Sequence, residues 1–401
     1  MKEKIETINK GTVTSPQGFS AGAVEAAIKY KGRLDLGILF SEKAALSAAV
    51  FTENKVKAAP VVLSMRHQEL GKARAVVVNS GCANACTGEK GLKNAEEMAG
   101  ATAFKLGIER NQVLVASTGV IGVELPIERI KNSIQRIRLT RDGGHKLARA
   151  IMTTDTRPKE VAIWVSDDNG HYIIGGIAKG AGMIHPSMST LLCFLATDAL
   201  IDHGFLQKAL KNAVDMSFNM ITVDGDTSTN DMVTIIANGA SGSRLINDKN
   251  GKVFQEALNY ICKYLACNIA ADGEGATKLI EVTVSGAKNT ADARKVVRAV
   301  TGSVLVKAAM HGNDPNWGRV VAALGRSGAY FEENKLDVFL QGVQVMEKGC
   351  PVHFEKDNLS KMMKKDQVNI RINLNIAAGN ATGWGCDLSQ EYVTINSNYT
   401  T

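Results

Sequence analysis

Thr190 follows Ser189 at the end of KGAGMIHPSMST and opens the apolar run LLCFLA, which reads as a buried strand. A hydroxyl alone is a poor nucleophile at neutral pH. Were the Ser189–Thr190 peptide bond opened, Thr190 would carry a hydroxyl and a free α-amine of reference pKa about 7.7–8.0, so that nucleophile and base share one residue. The opening needs no protease, because a strained backbone lets the hydroxyl attack the preceding carbonyl and form an ester that water opens. Acyl transfer through such a residue also needs donors for the oxyanion of its tetrahedral intermediate. The turn STGVIG offers the Thr118 hydroxyl and the Gly119 amide, with no Cβ at Gly119 to block close approach. Spacing alone still favours plain turns at both places, since a turn before a strand is far commoner than this chemistry.

Other chemistries fit less well. There is no G-x-S-x-G elbow. The segment KGAGM, residues 179–183, lacks the spacing of a phosphate loop and no helical pattern follows it, so its glycines are expected to let the backbone turn tightly or approach a ligand. Cys82 and Cys86 in SGCANACTG have no second pair at a zinc-binding gap, Cys262 and Cys267 lying in a helical pattern; core packing is expected and no metal site. His145, His171, His185, His203, His311 and His353 are isolated in sequence and read as structural, with His185 the one close enough to Thr190 to tune a neighbouring group.

The elements that must position these residues are legible as short apolar runs ending in small or polar residues: 74–81, 112–119, 161–180 and 191–199. The third holds Asn169-Gly170 between two β-rich halves, a hairpin signal because that dipeptide accepts positive φ cheaply. Helical spacing places Leu92, Ala95, Met98, Ala99, Ala103 and Leu106 on one face, and Phe254, Leu258, Ile261, Leu265 and Ile269 on another. Strict alternation in DQVNIRINLNIAAG predicts a half-exposed antiparallel strand. Hairpins mixed with helices, without regular βαβ repetition, predict a layered α/β (α+β) fold.

The 401 residues are long enough for one large or two ordinary domains. Lys and Arg outnumber Asp and Glu by 47 to 40 in scattered positions, and no basic run interleaves with aromatics, which argues for small anionic substrates and against nucleic acid. The N-terminus is charged, no run reaches the ~18 apolar residues of a membrane span, and the seven cysteines read as reduced thiols, so a soluble cytoplasmic protein is expected.

KGAGMIHPSMSTLLCFLATDA resembles the cleavage and nucleophile segment of the glutamate N-acetyltransferase (ornithine acetyltransferase) family of arginine biosynthesis. VTSPQGF, VVVNSGCANACTG, ASTGVIG, IMTTDTRPK, NMITVDGDTSTNDMV, KAAMHGNDPNWGR and YVTINSNYTT look like further family blocks in family order, from about residue 13 to residue 401. The resemblance implies a precursor that cuts itself between Ser189 and Thr190 into an α chain, 1–189, and a β chain, 190–401, assembled as an α2β2 heterotetramer. It implies a fold like that of N-terminal-nucleophile hydrolases with its own topology. The implied reaction is ping-pong: N2-acetylornithine acylates Thr190 and leaves as ornithine, then glutamate accepts the acetyl group. Some members also accept acetyl-CoA, and no cofactor is implied. Thr118 and Gly119 match the family's oxyanion pair, and Thr153, Lys179, Glu274, Asn396 and Thr401 match its substrate contacts. Both substrates are amino acids, so Lys179 is expected to meet carboxylate and Glu274 ammonium. Ser189 stands where alanine is usual and Ser187 where asparagine is common, which leaves cleavage intact and puts its rate in question.

Two other readings share the same residues. An amidohydrolase or aminopeptidase would use Thr190 with water as acceptor, and would release acetate without glutamate. A scaffold descended from such an enzyme would lack the nucleophile or the oxyanion pair, and neither is missing.

Overall fold

The apolar runs assemble into three sheets in a computed structural model that describes residues 3–185 and 191–398. Ser187, Ser189, Thr190 and Thr401 lie outside the described residues.

The central sheet has six strands in the order Lys4–Thr7, Lys159–Asp167, Gly170–Lys179, Leu192–Thr197, Met232–Ala237, Leu46–Phe51. Lys159–Asp167 and Gly170–Lys179 form the expected hairpin, closed at the pair Asp167 and Gly170; Gly170, not Asn169, supplies the positive φ. Leu192–Thr197 is antiparallel to Gly170–Lys179 and parallel to Met232–Ala237. Every one of its residues is buried, as an unbroken apolar run requires when both edges are paired and both faces covered.

Two further layers cover the central sheet. The helices His203–Met216 and Lys252–Ala271 pack on one face, where Phe254, Leu258, Ile261, Leu265 and Ile269 join Tyr172, Ile174 and Leu195 in one cluster. Against the other face lies a four-stranded sheet, Phe19–Val24, Leu36–Ser41, Ala75–Cys82 and Val113–Val120, whose Leu39, Val76 and Leu114 meet Ile177, Phe194 and Ile236. Its outer face is closed by the helices Gly88–Leu106 and Ile127–Arg136 through Met98, Ala99, Ile130 and Ile134. The layered α/β expectation is met.

A seven-stranded sheet built from residues 221–386 completes the fold. Its strand Gln367–Asn373 buries Val368, Ile370 and Ile372 and exposes Asn369 and Arg371, as the alternation predicts. It is not purely antiparallel, however: Leu279–Ala287 runs parallel to it and Asp337–Leu340 antiparallel. Alternation reports one wet face and says nothing of a neighbour's direction. The cysteines are free, and Cys82 is buried as expected, but Cys86 is exposed and packs in no core. Among the described residues no three His, Cys, Asp or Glu side chains could hold a metal, and no helix is long and apolar enough to cross a membrane.

Candidate active site

Six of the sequence-predicted residues line one cavity of about 140 Å3: Thr118, Gly119 and Lys179 from strand ends of two sheets, Thr153 and Glu274 from loops that follow helices, and Asn396 from the helix Gln390–Asn398. Thr118 and Gly119 arrive at the C-terminal end of Val113–Val120, which pairs in parallel with Ala75–Cys82. Gly119 has φ +131°, and a Cβ there would lie 2.3 Å from the Gly81 carbonyl carbon. The missing side chain makes room for the neighbouring strand, and Gly119 lines the cavity beside it.

Lys179 closes the strand Gly170–Lys179 with 2% of its surface exposed, and its Nζ donates to Thr153 Oγ1 at 2.8 Å and Thr118 Oγ1 at 3.3 Å. Two of the three donors of the ammonium thus fix two hydroxyls at the cavity wall. Behind them is a buried ion cluster that the sequence reading missed: Lys159 Nζ lies 2.6 Å from both Asp155 Oδ1 and Asp272 Oδ2. Asp155 also accepts the Gly180 amide at 2.7 Å and the Thr153 amide at 3.0 Å, while Asp272 accepts the Thr156 amide and hydroxyl. The cluster locks Thr153 and the end of the Lys179 strand to the C-terminus of the helix Lys252–Ala271. Burial pushes the Asp155 carboxyl up, but the Lys179 and Lys159 charges and its hydrogen bonds outweigh that and hold it at about 2. Burial pulls Lys179 below the ordinary lysine value, with Asp155 opposing.

After Lys179 the chain wraps two carboxylates. Asp224 accepts the Met183 and Ile184 amides at 2.6 and 2.8 Å, which holds Met183 at φ +57°. Gly182 faces Glu274, where a Cβ would come within 2.5 Å of the carboxyl carbon. Here the glycine does serve close approach, to a side chain of the site. Glu274 is buried and accepts from Asn396 Nδ2 at 2.8 Å, so the helix Gln390–Asn398 brings its own last turn onto the cavity. Burial, reinforced by Asp224 and Glu274, raises the Tyr392 phenol. His185 lies 3.3 Å from Thr222 Oγ1, and burial followed by the Arg298 charge lowers its imidazole.

Sequence reasoning missed Lys29, Asp224, Asp226, Asn230 and Tyr392, which also line the cavity. Asp224, Asp226 and Asn230 stand in NMITVDGDTSTNDMV and Tyr392 begins YVTINSNYTT, so the polar density of those blocks was the available signal; Lys29 lies in no such block. The cavity combines hydroxyl and amide donors and a buried lysine with a group of carboxylates. It can hold a small zwitterion and stabilise an oxyanion.

Residues 20–401 match the ArgJ family. The chain belongs to that family. The arginine biosynthesis bifunctional protein ArgJ of Dehalococcoides mccartyi is 50% identical to it and covers 100% of both chains. The ArgJ of Symbiobacterium thermophilum is 49% identical over 98% of this chain and 99% of its own. A crystal structure of ArgJ from Bacillus halodurans is 43% identical with a TM-score of 0.49, covering 50% of this chain and 96% of that one. The family resemblance seen in the sequence blocks is thus borne out along almost the whole chain.

Proposed function

We propose that this member of the ArgJ family transfers the acetyl group of N2-acetyl-L-ornithine to L-glutamate through an acetyl-Thr190 intermediate, after cutting itself between Ser189 and Thr190. It is a bifunctional enzyme of arginine biosynthesis, and acetyl-CoA is its second acetyl donor. The reading is carried by one observation: two strand ends, two loops that follow helices and the helix Gln390–Asn398 bring Thr118, Gly119, Thr153, Lys179, Glu274 and Asn396 to one cavity, in a chain whose full length matches the family.

In this reading Thr118 Oγ1 and the Gly119 amide receive the oxyanion, and Lys179 orients Thr118 while its charge attracts the substrate carboxylate. Glu274, steadied by Asn396, takes ammonium, and Thr153 and Thr401 complete the contacts. The Thr190 amine removes the hydroxyl proton as the acetyl carbon is attacked and returns it to the departing ornithine nitrogen. No metal or prosthetic group takes part. The chains 1–189 and 190–401 stay together as an α2β2 heterotetramer in the cytoplasm.

The decisive experiment omits the acceptor. Incubated with acetylornithine alone, the enzyme should release one ornithine per site in a burst, and the mass of the 190–401 chain should rise by one acetyl group; added glutamate should discharge it. Kinetics that require both substrates to bind together would overturn the reading, and steady release of acetate without glutamate would favour the hydrolase. Family membership favours transfer.

Gly182→Ala should leave the melting temperature unchanged and raise KM for both amino acids about tenfold, because the new methyl displaces the Glu274 carboxyl and a charge-assisted hydrogen bond is worth roughly 1.5–3 kcal/mol. Unchanged KM would remove Glu274 from the binding site.

A further inference from the structure

The oxyanion pair stands where a strand ladder stops. Ala75–Cys82 and Val113–Val120 pair regularly as far as Gly81 beside Gly119, and the register shifts at Cys82. Gly81 and Gly119 both have positive φ, +97° and +131°. Lys179 holds the Thr118 hydroxyl by its oxygen, which leaves the proton to donate but does nothing for the backbone around it. Donors that stabilise a developing charge must keep one geometry throughout, so the two strand exits need a tie that the ladder does not supply.

Two asparagines supply it. Asn79, fully buried, accepts the Ser117 hydroxyl at 2.6 Å and donates to the Cys82 carbonyl at 2.9 Å. Asn230 stands 6% exposed in the cavity wall: its Nδ2 donates to the Ser117 carbonyl at 2.9 Å and to the Ala83 carbonyl at 2.7 Å, while Oδ1 accepts the Thr229 hydroxyl at 2.6 Å. Chemistry fixes this orientation, because two carbonyl oxygens can be answered only by the NH2 end of the amide. The Ser117 carbonyl belongs to the peptide group that contains the Thr118 nitrogen, and Ala83 follows the shifted register on the neighbouring strand. One amide therefore bridges both exits. With both protons spent, it has none left for a substrate or an oxyanion.

We infer that Asn230 is a positioning residue for the oxyanion pair, holding Thr118 and Gly119 in place by tying the Ser117 and Ala83 carbonyls together. The inference rests on the acetyl-transfer reading above, in which Thr118 and Gly119 are the donors. The role selects the residue type. Aspartate has the same shape and no proton to give, serine has one, and the asparagine amide answers both carbonyls at once.

Asn230→Asp sets a carboxylate against two carbonyl oxygens. With rates counted per cut chain, kcat for transfer from acetylornithine to glutamate should fall about a hundredfold, the scale of losing one oxyanion donor, with KM for both amino acids within about twofold of the wild type. Asn230→Ser keeps one donor and should lose about tenfold. The decisive readout is coupling to the donor itself, which a merely structural role would not produce. Thr118→Val alone should cost about a hundredfold, and adding Asn230→Ser to it should cost about twofold more, in place of the tenfold seen alone. A full tenfold loss in that background overturns the inference. So does a wild-type kcat in Asn230→Asp, or a change confined to KM, which would make Asn230 a substrate contact. Should Asn230→Asp not fold, Asn230→Ser and its pairing with Thr118→Val decide. A wild-type kcat in Thr118→Val would instead refute the oxyanion reading on which the inference rests, so the two failures are distinguishable.

Discussion

Thr190→Ala should run as one chain of 42.8 kDa on a denaturing gel, where the wild type should give two pieces of similar size, and should lose acetyl transfer by about 10^4-fold or more. Two losses coincide in this one change. Without the hydroxyl there is no attack on the Ser189 carbonyl, so no free amine forms, and the same hydroxyl is the atom that would carry the acetyl group. The oxyanion donors and Lys179 would remain in place, since their contacts run to Thr153, Gly81 and one another. Binding of ornithine should therefore survive, measurable by calorimetry, while chemistry does not. Thr190→Ser is the informative control, because it keeps a hydroxyl and should keep cleavage. An alanine variant that is cut, or that transfers acetyl at the wild-type rate, would end the Thr190 mechanism.

Lys159→Met should cost about 3–5 kcal/mol of stability, the range for removing one partner of a buried ion pair. Lys159 has a fully buried side chain and is the cation that Asp155 and Asp272 share. Methionine fills the space but leaves two carboxylates in the interior without it. Adding Asp272→Asn should recover part of the loss, since one of the stranded charges is then gone. The surviving protein should also show raised KM, because Thr153 and Gly180 hang on Asp155. In the wild type Asp155 also sets an acid limit. Its carboxyl is depressed from 3.8 to about 2, so its contribution to stability is complete above the unfolded value and is lost as pH falls through that interval. Urea titrations from neutral pH downward would follow it; a Lys159→Met protein as stable as the wild type would show the cluster to be dispensable.

The strands and helices could be read from sequence because burial imposes a period. Phe254 to Ile269 and Val368 to Ile372 repeat at the spacing of the surface they cover. Directions of neighbouring strands could not, since Val368, Ile370 and Ile372 would alternate in the same way beside a parallel partner or an antiparallel one. Thr118, Lys179 and Asn396 stand in the family blocks, and Glu274 was accessible through the resemblance as a whole. The ion cluster was not, because Lys159 and Asp272 lie 113 residues apart and a buried charge is recognised only beside the charge that answers it. Gly119 shows a third kind of limit. Its residue type was explicable from sequence, but the body it avoids, the Gly81 backbone, became visible only with the pairing of two strands.

The weave of the central sheet bears on when the proposed cut between Ser189 and Thr190 would occur. Leu192–Thr197 and Met232–Ala237 sit between Gly170–Lys179 on one side and the edge strand Leu46–Phe51 on the other, so one seam between residues 1–189 and 190–401 runs through the middle of the layer and the other lies beside its edge. Halves synthesised apart would each present bare hydrogen-bonding edges, a template for clumping. On the self-cleavage proposed above, scission would come after the seams have closed, and the product would be an interlaced pair that parts only by unravelling.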